Sequence, residues 1–436
     1  MKVDMFATIA CRGAAVFGLS LTVALTGCGG SGSSSSTPNT TRTSQKLVFS
    51  NFEAATVEIG QTDFSGTSSN RGSTADANTL STPYGNPLVS TNGMTFIGDW
   101  GNNRVLGFNT LPTVNNANAN FALGQPDFTT VSAATTQAGM NGPQQISVAD
   151  GKMLVSDYTN NRVLIYNSIP MGGTAVPDVV LGQPDFTTND TTCDASHFNN
   201  VETVEGTVDG KVIVTDSLHN RVLIWNSVPT VNGQAPDLVL GQGDLTHCAA
   251  NDDNQDAITD ATPSQRTLDD PAGVWSDGTR IVVLDDLNNR VLIWNSFPTS
   301  DFQPADVVLG QADFTHNMYN DDNQDKSPDS APTARTMDLP FDGVNSNGAQ
   351  LAVADTGNNR VLIWNSFPTS DFQPADVVLG QGDFIHHTYN DDNQDGSSDS
   401  QASARVMNAP SGVFFFQDKL LVCDEENSRL LIFHSQ

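Results

Sequence analysis

Hydrophobic residues occur along this chain in short runs separated by turn-forming residues. The stretch from residue 271 to residue 313 shows the pattern most simply. Its runs are rich in Val, Ile and Trp, which favour extended backbone, and the breaks between them carry Asp-Gly, Asn-Asn or Pro. The pattern predicts four short β-strands. They fall at residues 273–275, 281–284, 290–294 and 306–310, with turns at 277–278 and 285–289.

The same pattern recurs along the chain, and two motifs mark each copy. The first is the DDLNNRVLIW type, in which an Arg follows an Asp by five residues. Its six copies contain the pairs Asp99/Arg104, Asp157/Arg162, Asp216/Arg221, Asp285/Arg290, Asp355/Arg360 and Asp424/Arg429. The second is the LGQ-x-D-F type, which begins at Glu58, Ala122, Val180, Val239, Val308 and Val378. Six copies of two motifs predict a repeat architecture.

Four antiparallel strands in each of six repeats predict an all-β fold, a six-bladed β-propeller. The ends of the chain fit a closed ring. Residues 56–61 form an LGQ-type strand that precedes the first DDLNNRVLIW-type motif, and residues 430–433 form a strand that no LGQ motif follows. We therefore predict that the N-terminal strand completes the last blade, which removes two exposed sheet edges. Residues 47–49 are expected beside this closing strand.

The first motif resembles the V-x-D-x-x-N-x-R-V signature of the NHL-repeat family, and the resemblance covers residues 47–436. It implies a propeller fold. Some NHL-like propellers are enzymes, including amidating lyases that use a metal, so the resemblance leaves catalysis open.

The N-terminus is predicted to be a targeting segment. Lys2 and Arg12 precede an apolar run, and residues 25–28 (LTGC) resemble a bacterial lipobox. We expect a lipoprotein signal peptide at residues 1–27, lipidation of Cys28 and a Gly/Ser-rich flexible tether at residues 28–46. The alternative is an ordinary secretory peptide. Gly29 after the Cys resembles outer-membrane sorting, which predicts an outer-membrane anchor in a bacterial cell envelope.

The charge of the chain is strongly negative. Its formal net charge is −30, and the acidic residues are almost all Asp, since only six Glu occur. Asp favours turns over helices. The acidic balance argues against nucleic acid, whose phosphates require a basic surface. A protein, a glycan or a cationic ligand is a more suitable partner.

The repeated Asp and Arg residues are predicted to be structural. They occur in every repeat, whereas a single reaction needs a single arrangement of groups. We expect each pair to form a contact across its turn, with bidentate geometry, or to tie adjacent blades.

Three long insertions place Asp-rich loops between later blades. Alternating oxygen ligands resemble the start of an EF-hand loop and suit Ca²⁺. The twelfth position carries no Glu, so the alternative is a run of Asx turns that order the loop. The candidate ligands are Asp252, Asn254, Asp256, Asp260, Asp321, Asn323, Asp325, Asp329, Asp391, Asn393, Asp395 and Asp399.

Other candidate residues are weaker. His247, His316 and His386 begin the insertions, but zinc would require them to converge, so capping of the loops is favoured. Cys193 and Cys248 occupy matching loops, where a disulfide or two free thiols are both open. Candidates near the central axis are Asn86, Gln145, Glu202, Gly273, Asp342 and Gly412.

Three functions remain open from the sequence. The first is a lipid-anchored binding scaffold that uses an acidic face. The second is a metal-dependent enzyme of the lactonase or lyase kind, with its site in the axial channel. The third is a structural spacer in the cell envelope. No catalytic residue is assigned.

Overall fold

Each repeat folds as one four-stranded antiparallel sheet in the computed structural model, which describes residues 46–436. The predicted signal peptide, Cys28 and most of the predicted tether lie outside the described residues. Six such sheets form the blades of a propeller, as the sequence predicted. Within the described range, no helix has the length and apolar character needed to cross a membrane.

In each blade the first strand lies nearest the central axis, and the other three lie successively farther from it. Blade 1 contains β2 (Leu88–Val89), β3 (Thr95–Asp99), β4 (Arg104–Phe108) and β5 (Phe121–Leu123). Blade 2 contains β6 (Pro143–Ala149), β7 (Lys152–Asp157), β8 (Arg162–Tyr166) and β9 (Val179–Leu181). Blade 3 contains β10 (Val204–Gly206), β11 (Val212–Asp216), β12 (Arg221–Trp225) and β13 (Leu238–Leu240).

The second half of the ring follows the same plan. Blade 4 contains β14 (Pro271–Ser276), β15 (Ile281–Asp285), β16 (Arg290–Trp294) and β17 (Val307–Leu309). Blade 5 contains β18 (Val344–Ser346), β19 (Leu351–Asp355), β20 (Arg360–Trp364) and β21 (Val377–Leu379). Blade 6 contains β22 (Pro410–Phe416), β23 (Lys419–Asp424), β24 (Arg429–His434) and, as its outer strand, β1 (Val57–Ile59).

A tight turn joins the second and third strands of every blade. In blades 1 to 5 it is a single 3₁₀ turn, at Trp100–Asn102, Tyr158–Asn160, Ser217–His219, Asp286–Asn288 and Thr356–Asn358. One further 3₁₀ helix spans Ser69–Gly72. Each blade turn ends in the left-handed region, with φ of 51° to 55°, at Asn103, Asn161, Asn220, Asn289 and Asn359. Asn tolerates this conformation better than most residues, which explains its recurrence.

The N-terminal strand closes the ring. β1 is antiparallel to β24, with Val57 opposite Ile432. Asn51, which precedes β1, makes the same contact as Asp301, which precedes β17 of blade 4. The Asn51 side chain accepts a hydrogen bond from the Val378 amide at 3.1 Å, and the Asp301 side chain accepts one from the Val239 amide at 3.0 Å. The first and last segments of the chain therefore build one complete blade together.

Residues 47–49 lie between blades 5 and 6, beside the end of β24. The backbone of Leu47 bonds to the Gln350 side chain at the β18–β19 turn, with its N–H donating at 2.6 Å and its carbonyl accepting at 3.0 Å. The Val48 carbonyl accepts from the Gln436 amide at 3.0 Å. This segment thus bonds both to blade 5 and to the end of blade 6, and it lies at the end of the propeller that carries the β18–β19 turn.

The core consists of six apolar clusters, one between each pair of adjacent blades. Each β-sheet is buried on both faces, and so its strands carry continuous runs of Val, Leu and Ile. Burying each such side chain contributes about 1.5–3 kcal/mol. The cluster between blades 6 and 1 includes Val57 and Ile59, so the closing strand contributes to the core as well as to the sheet.

Candidate functional site

The repeated Asp and Arg form the same contact in all six blades. The Arg Nε lies 2.7–2.8 Å from the Asp Oδ2, and both side chains are fully buried. The contact uses one nitrogen only, so the bidentate geometry that we expected does not occur. The terminal guanidinium nitrogens instead donate to backbone carbonyls.

Blade 4 shows what this network does. Arg290 donates through Nη1 to the Phe314 carbonyl at 2.6 Å and through Nη2 to the Ser264 and Thr267 carbonyls at 2.9 and 3.0 Å. Asp285 accepts from the Asp269 amide at 2.7 Å. One ion pair thus joins the inner strand, the turn and the outer loop of a blade.

The Asn residues of the turn connect neighbouring blades. The side-chain oxygen of Asn220 in blade 3 accepts from the Asp270 amide of blade 4 at 2.9 Å, and Asn289 accepts from Leu339 of blade 5 at the same distance. His219 replaces an Asn in blade 3, and its Nδ1 lies 3.0 Å from Asp216 Oδ2. These contacts are structural.

The Asp-rich insertions are ordered by their own backbone. Asp321 is fully buried, and its two oxygens accept from the Asp325 and Lys326 amides at 3.1 and 2.9 Å. Asn323 accepts from Asp325 at 2.9 Å. Asx turns of this kind repeat around Asp252 and Asp391.

These turns use oxygens that calcium would need. Among residues 46–436, no group of three or more His, Cys, Asp or Glu is arranged to hold a metal ion. Calcium binding by the insertions stays a prediction, and the Asx-turn alternative describes the observed contacts.

The remaining sequence candidates in these loops have local partners. His247, His316 and His386 each contact the Asp three residues earlier, with Nδ1 to Oδ1 distances of 2.8–2.9 Å. Cys193 and Cys248 form a disulfide that joins the loops before blades 3 and 4, with their Cα atoms 6.4 Å apart. Cys423 is a buried free thiol.

Two positions in each repeat differ between blades, and both lie at one end of the ring. The first follows the motif Asp directly and is occupied by Trp100, Tyr158, Ser217, Asp286, Thr356 and Glu425. The second lies at the start of the inner strand and is occupied by Tyr84, Gln144, Glu202, Ala272, Phe341 and Ser411. Pro271 pairs with Asp285, which shows that the inner strand starts beside this turn. We call this end of the central axis the axial mouth.

Four of the six axial candidates hold the inner strands together. Asn86 donates to the Val344 carbonyl at 2.9 Å and accepts from the Val413 amide at 2.7 Å, which joins blades 1, 5 and 6. Gln145 donates to the Val204 carbonyl at 2.9 Å. Gly273 and Gly412 lie where a Cβ would collide with the backbone carbonyl oxygens of neighbouring blades.

The other two candidates, Glu202 and Asp342, are buried carboxyls of the axial mouth. Both oxygens of Asp342 lack a hydrogen-bond partner within the described part of the chain, as does one oxygen of Glu202. Burial raises the pKa of Asp342 well above its usual range, and repulsion from Glu202 and Glu425 adds to the rise. Burial likewise raises the pKa of Glu202, together with repulsion from Asp270.

Three further carboxyls complete this cluster. Burial raises the pKa of Glu425 to about 8, although hydrogen bonds from Tyr84 and Ser411 oppose the rise. It raises the pKa of Asp270 to about 6, and that of Asp286 well above its usual range. One oxygen of Asp270 and one of Asp286 also lack a partner within residues 46–436.

Aromatic rings stand beside the carboxyls. The Tyr84 ring centroid is 5.7 Å from that of Trp100 and 5.9 Å from that of Phe341. A cavity of about 480 Å³ opens here, lined by Tyr84, Phe341, Asp286 and Glu425 among others. Its volume falls within the range of small-molecule sites.

Sequence reasoning found two of the five carboxyls and missed Asp270, Asp286 and Glu425. A signal was present for Asp286 and Glu425, because the residue directly after each motif Asp varies between aromatic, hydroxyl and acidic types. Asp270 does not occupy that position, and the repeats gave no signal for it.

No protein-family model matches the chain, and no curated protein matches its sequence. Among solved structures, the chain is similar to a virginiamycin B lyase from Staphylococcus aureus in its selenomethionine form. The identity is 12% and the TM-score 0.40, over 83% of this chain and 98% of the other. It is also similar to a catalytically inactive variant of that lyase with quinupristin, at 12% identity and TM-score 0.35, over 80% of each chain. Likeness at this level does not bear on function, and the sheets themselves establish the six-bladed propeller.

Proposed function

We propose that this chain is an NHL-repeat propeller, held in a bacterial cell envelope by lipid on Cys28, that binds a ligand at its acidic face. The lipobox-like residues before Cys28 and the Gly/Ser-rich segment after it support the anchor. The six copies of the Asp-to-Arg motif support the family. The partner of the acidic face is a protein, a glycan or a cationic ligand, and the membrane is reached through the lipid.

The observation that supports this proposal most is the set of carboxyls in the axial mouth. Every repeated polar side chain serves a structural contact in its own blade or the next, as Asp285 and Arg290 do. The mouth instead holds carboxyls that differ from blade to blade, and four of them (Glu202, Asp270, Asp286 and Asp342) have at least one oxygen without a partner within residues 46–436. Unpaired buried polar groups are costly, so their retention supports a role in binding.

The test compares ligand binding by the wild type and by a variant that carries Glu202→Gln and Asp342→Asn. Glycan, basic-peptide and small-molecule panels are screened by the shift in melting temperature. Asp150→Asn is the matched control, since Asp150 is an exposed turn residue at the opposite end of its blade. We expect at least one class to stabilise the wild type and the control but not the double variant. Equal stabilisation of all three proteins would remove the mouth as the binding site.

A metal-dependent enzyme of the lactonase or lyase kind is the second candidate. The observation in its favour is Glu425, whose pKa of about 8 suits a general acid or base near neutral pH. The mouth carboxyls do not converge as metal ligands within the described range, so a resident metal does not fit them. If the protein converts a ligand found by the screen to a product, and Glu425→Gln abolishes this conversion, the result would favour an enzyme over simple binding.

A further inference from the structure

Asp342 is the least satisfied polar side chain of the axial mouth. It is fully buried, and neither of its oxygens has a hydrogen-bond partner within residues 46–436. The groups that raise its pKa by repulsion are Glu202, Glu425, Asp286 and Asp270, so its carboxyl faces the other acids of the mouth. A buried carboxylate without a partner is strongly unfavourable. Asp286, which lines the open part of the mouth, also has one oxygen without a partner within residues 46–436, and a bound cation would supply that partner.

The spacing of these acids favours an organic cation over a metal ion. Metal ions need three or more ligands at about 2.0–2.6 Å from one point, and the described acids, His and Cys are nowhere so arranged. Two of the acids, Asp286 and Glu425, instead line a cavity of about 480 Å³, which has room for a small molecule.

The aromatic residues of the mouth point to the same kind of ligand. The Tyr84 ring packs between those of Trp100 and Phe341, and both Tyr84 and Phe341 line the cavity. The face of an aromatic ring attracts ammonium groups and also accepts their carbon substituents. The Tyr84 hydroxyl donates to Glu425, which fixes the orientation of both side chains.

We infer that the axial mouth binds a small organic ammonium ion, with its nitrogen beside Asp286 and Glu425 and its carbon substituents against Tyr84 and Phe341. This inference rests on the proposed function and specifies its ligand class.

Binding of such a cation is coupled to protons. The titratable groups that face one another in the mouth are Glu202, Asp270, Asp286, Asp342, Glu425, Tyr84 and Tyr158. Their carboxyls hold protons above the usual pH range, and a cation favours the deprotonated form. Binding therefore releases protons, and affinity rises with pH between about 6, the pKa of Asp270, and about 8, that of Glu425.

The experiment uses choline as the probe, with its neutral isostere, in which carbon replaces the nitrogen, as the ligand control. Calorimetric titrations of the propeller in buffers of different ionisation enthalpy give both affinity and protons released. We expect choline to bind the wild type and Asp150→Asn, the isostere not to bind, and Asp286→Asn to weaken choline by about thirtyfold, as for a lost buried charge partner.

The contrary outcomes are distinct. Equal choline affinity in the wild type and Asp286→Asn, or equal affinity for the neutral isostere, would overturn the ammonium inference. A neutral or anionic ligand whose binding requires Glu202 and Asp342 would also overturn it, while leaving the proposed function intact. If neither choline nor any ligand of the wider screen responds to substitutions in the mouth, both fail. Calcium or magnesium competing for the same residues would assign the mouth to a metal and overturn the inference.

Discussion

Asp285 and Asp342 are both fully buried carboxyls, but they have opposite environments. Asp285 accepts hydrogen bonds from Arg290, Asn288 and a backbone amide, which together replace the water it has lost. Asp342 has no such partner in the described part of the chain. The first arrangement occurs in six copies and stabilises the fold, whereas the second occurs once within the described residues and leaves a buried carboxyl without a partner.

Replacing one partner of the repeated ion pair should destabilise the whole protein. Arg290→Met leaves the charge of Asp285 buried and unpaired, and the cost is expected to be about 3–5 kcal/mol. Urea titration followed by circular dichroism measures the loss in free energy of unfolding. Arg335→Met is the control, because Arg335 is exposed and contacts only the ring of Phe372 among the aromatic side chains of the described residues. Similar losses in both variants would contradict a special role for the pair.

The acids of the mouth should make the unliganded protein less stable as the pH rises. Glu425 has a pKa of about 8 in the folded protein against an ordinary value of 4.5, so the folded state binds more protons between these values. The stability that it contributes is therefore lost as the pH rises from about 5 to about 8, by up to a few kcal/mol. Glu425→Gln should flatten this dependence in melting temperatures measured across the range. The exposed neighbour Glu426, changed to Gln, should leave the slope unchanged.

Elements were predicted well wherever the sequence combines β-branched runs with specific turn residues. In blade 4 the predicted second strand, residues 281–284, is observed as Ile281–Asp285, and the third matches Arg290–Trp294 at both ends. The inner strands were harder to define. The starts of these strands combine Pro, Gly and polar residues, which do not alternate with apolar residues. The reason is that the strands pack closely around the central axis there. Of the three carboxyls that escaped prediction, Asp270 directly precedes such a start, whereas Asp286 and Glu425 lie in the turn that follows the motif Asp.

The closing strand offers a test of ring closure at the level of one element. A chain that begins at residue 62 lacks β1, leaves β24 with an unpaired edge and removes Val57 and Ile59 from the core. We expect a lower melting temperature and association through the open edge, seen by size-exclusion chromatography. A chain that begins at residue 46 is the control and should remain as stable as the full chain. A monomeric truncated protein with an unchanged melting temperature would be the contrary result.

The insertions allow a second test at this scale. If they bind calcium, millimolar calcium should raise the melting temperature by roughly a few degrees, and a chelator should reverse the change. Asp329→Asn should reduce the shift, since it removes one candidate ligand. No shift in the wild type would leave the Asx turns as the sole role of these loops.

At the scale of the whole molecule, the role of a polar residue depends on where it lies. Contacts that repeat around the ring hold the blades, while the acids of the insertions and the mouth gather at one end. The formal charge of −30 overstates the charge of the folded protein near neutral pH, because burial raises the pKa of the mouth carboxyls. Any cation that enters the mouth must therefore displace protons as well as water.

The anchor is testable in the cell. Cys28→Ser should move the protein from the membrane fraction to the soluble fraction, because a lipid chain can no longer be attached. Cys11→Ser is the control, since that residue is predicted to leave with the signal peptide. Fractionation followed by immunoblotting measures the distribution. A variant that stays with the membrane would argue for another form of attachment.

The entry point of the chain at Leu47 has a consequence for how such an anchored protein would meet its surroundings. Leu47 bonds to the β18–β19 turn, whereas Asp342 and Asp355 lie at the other end of those strands. A lipid-bearing tether that joins at residue 46 would thus attach to the end of the propeller opposite the axial mouth. We expect the axial mouth to face away from the negatively charged lipid headgroups and toward molecules that diffuse through the envelope.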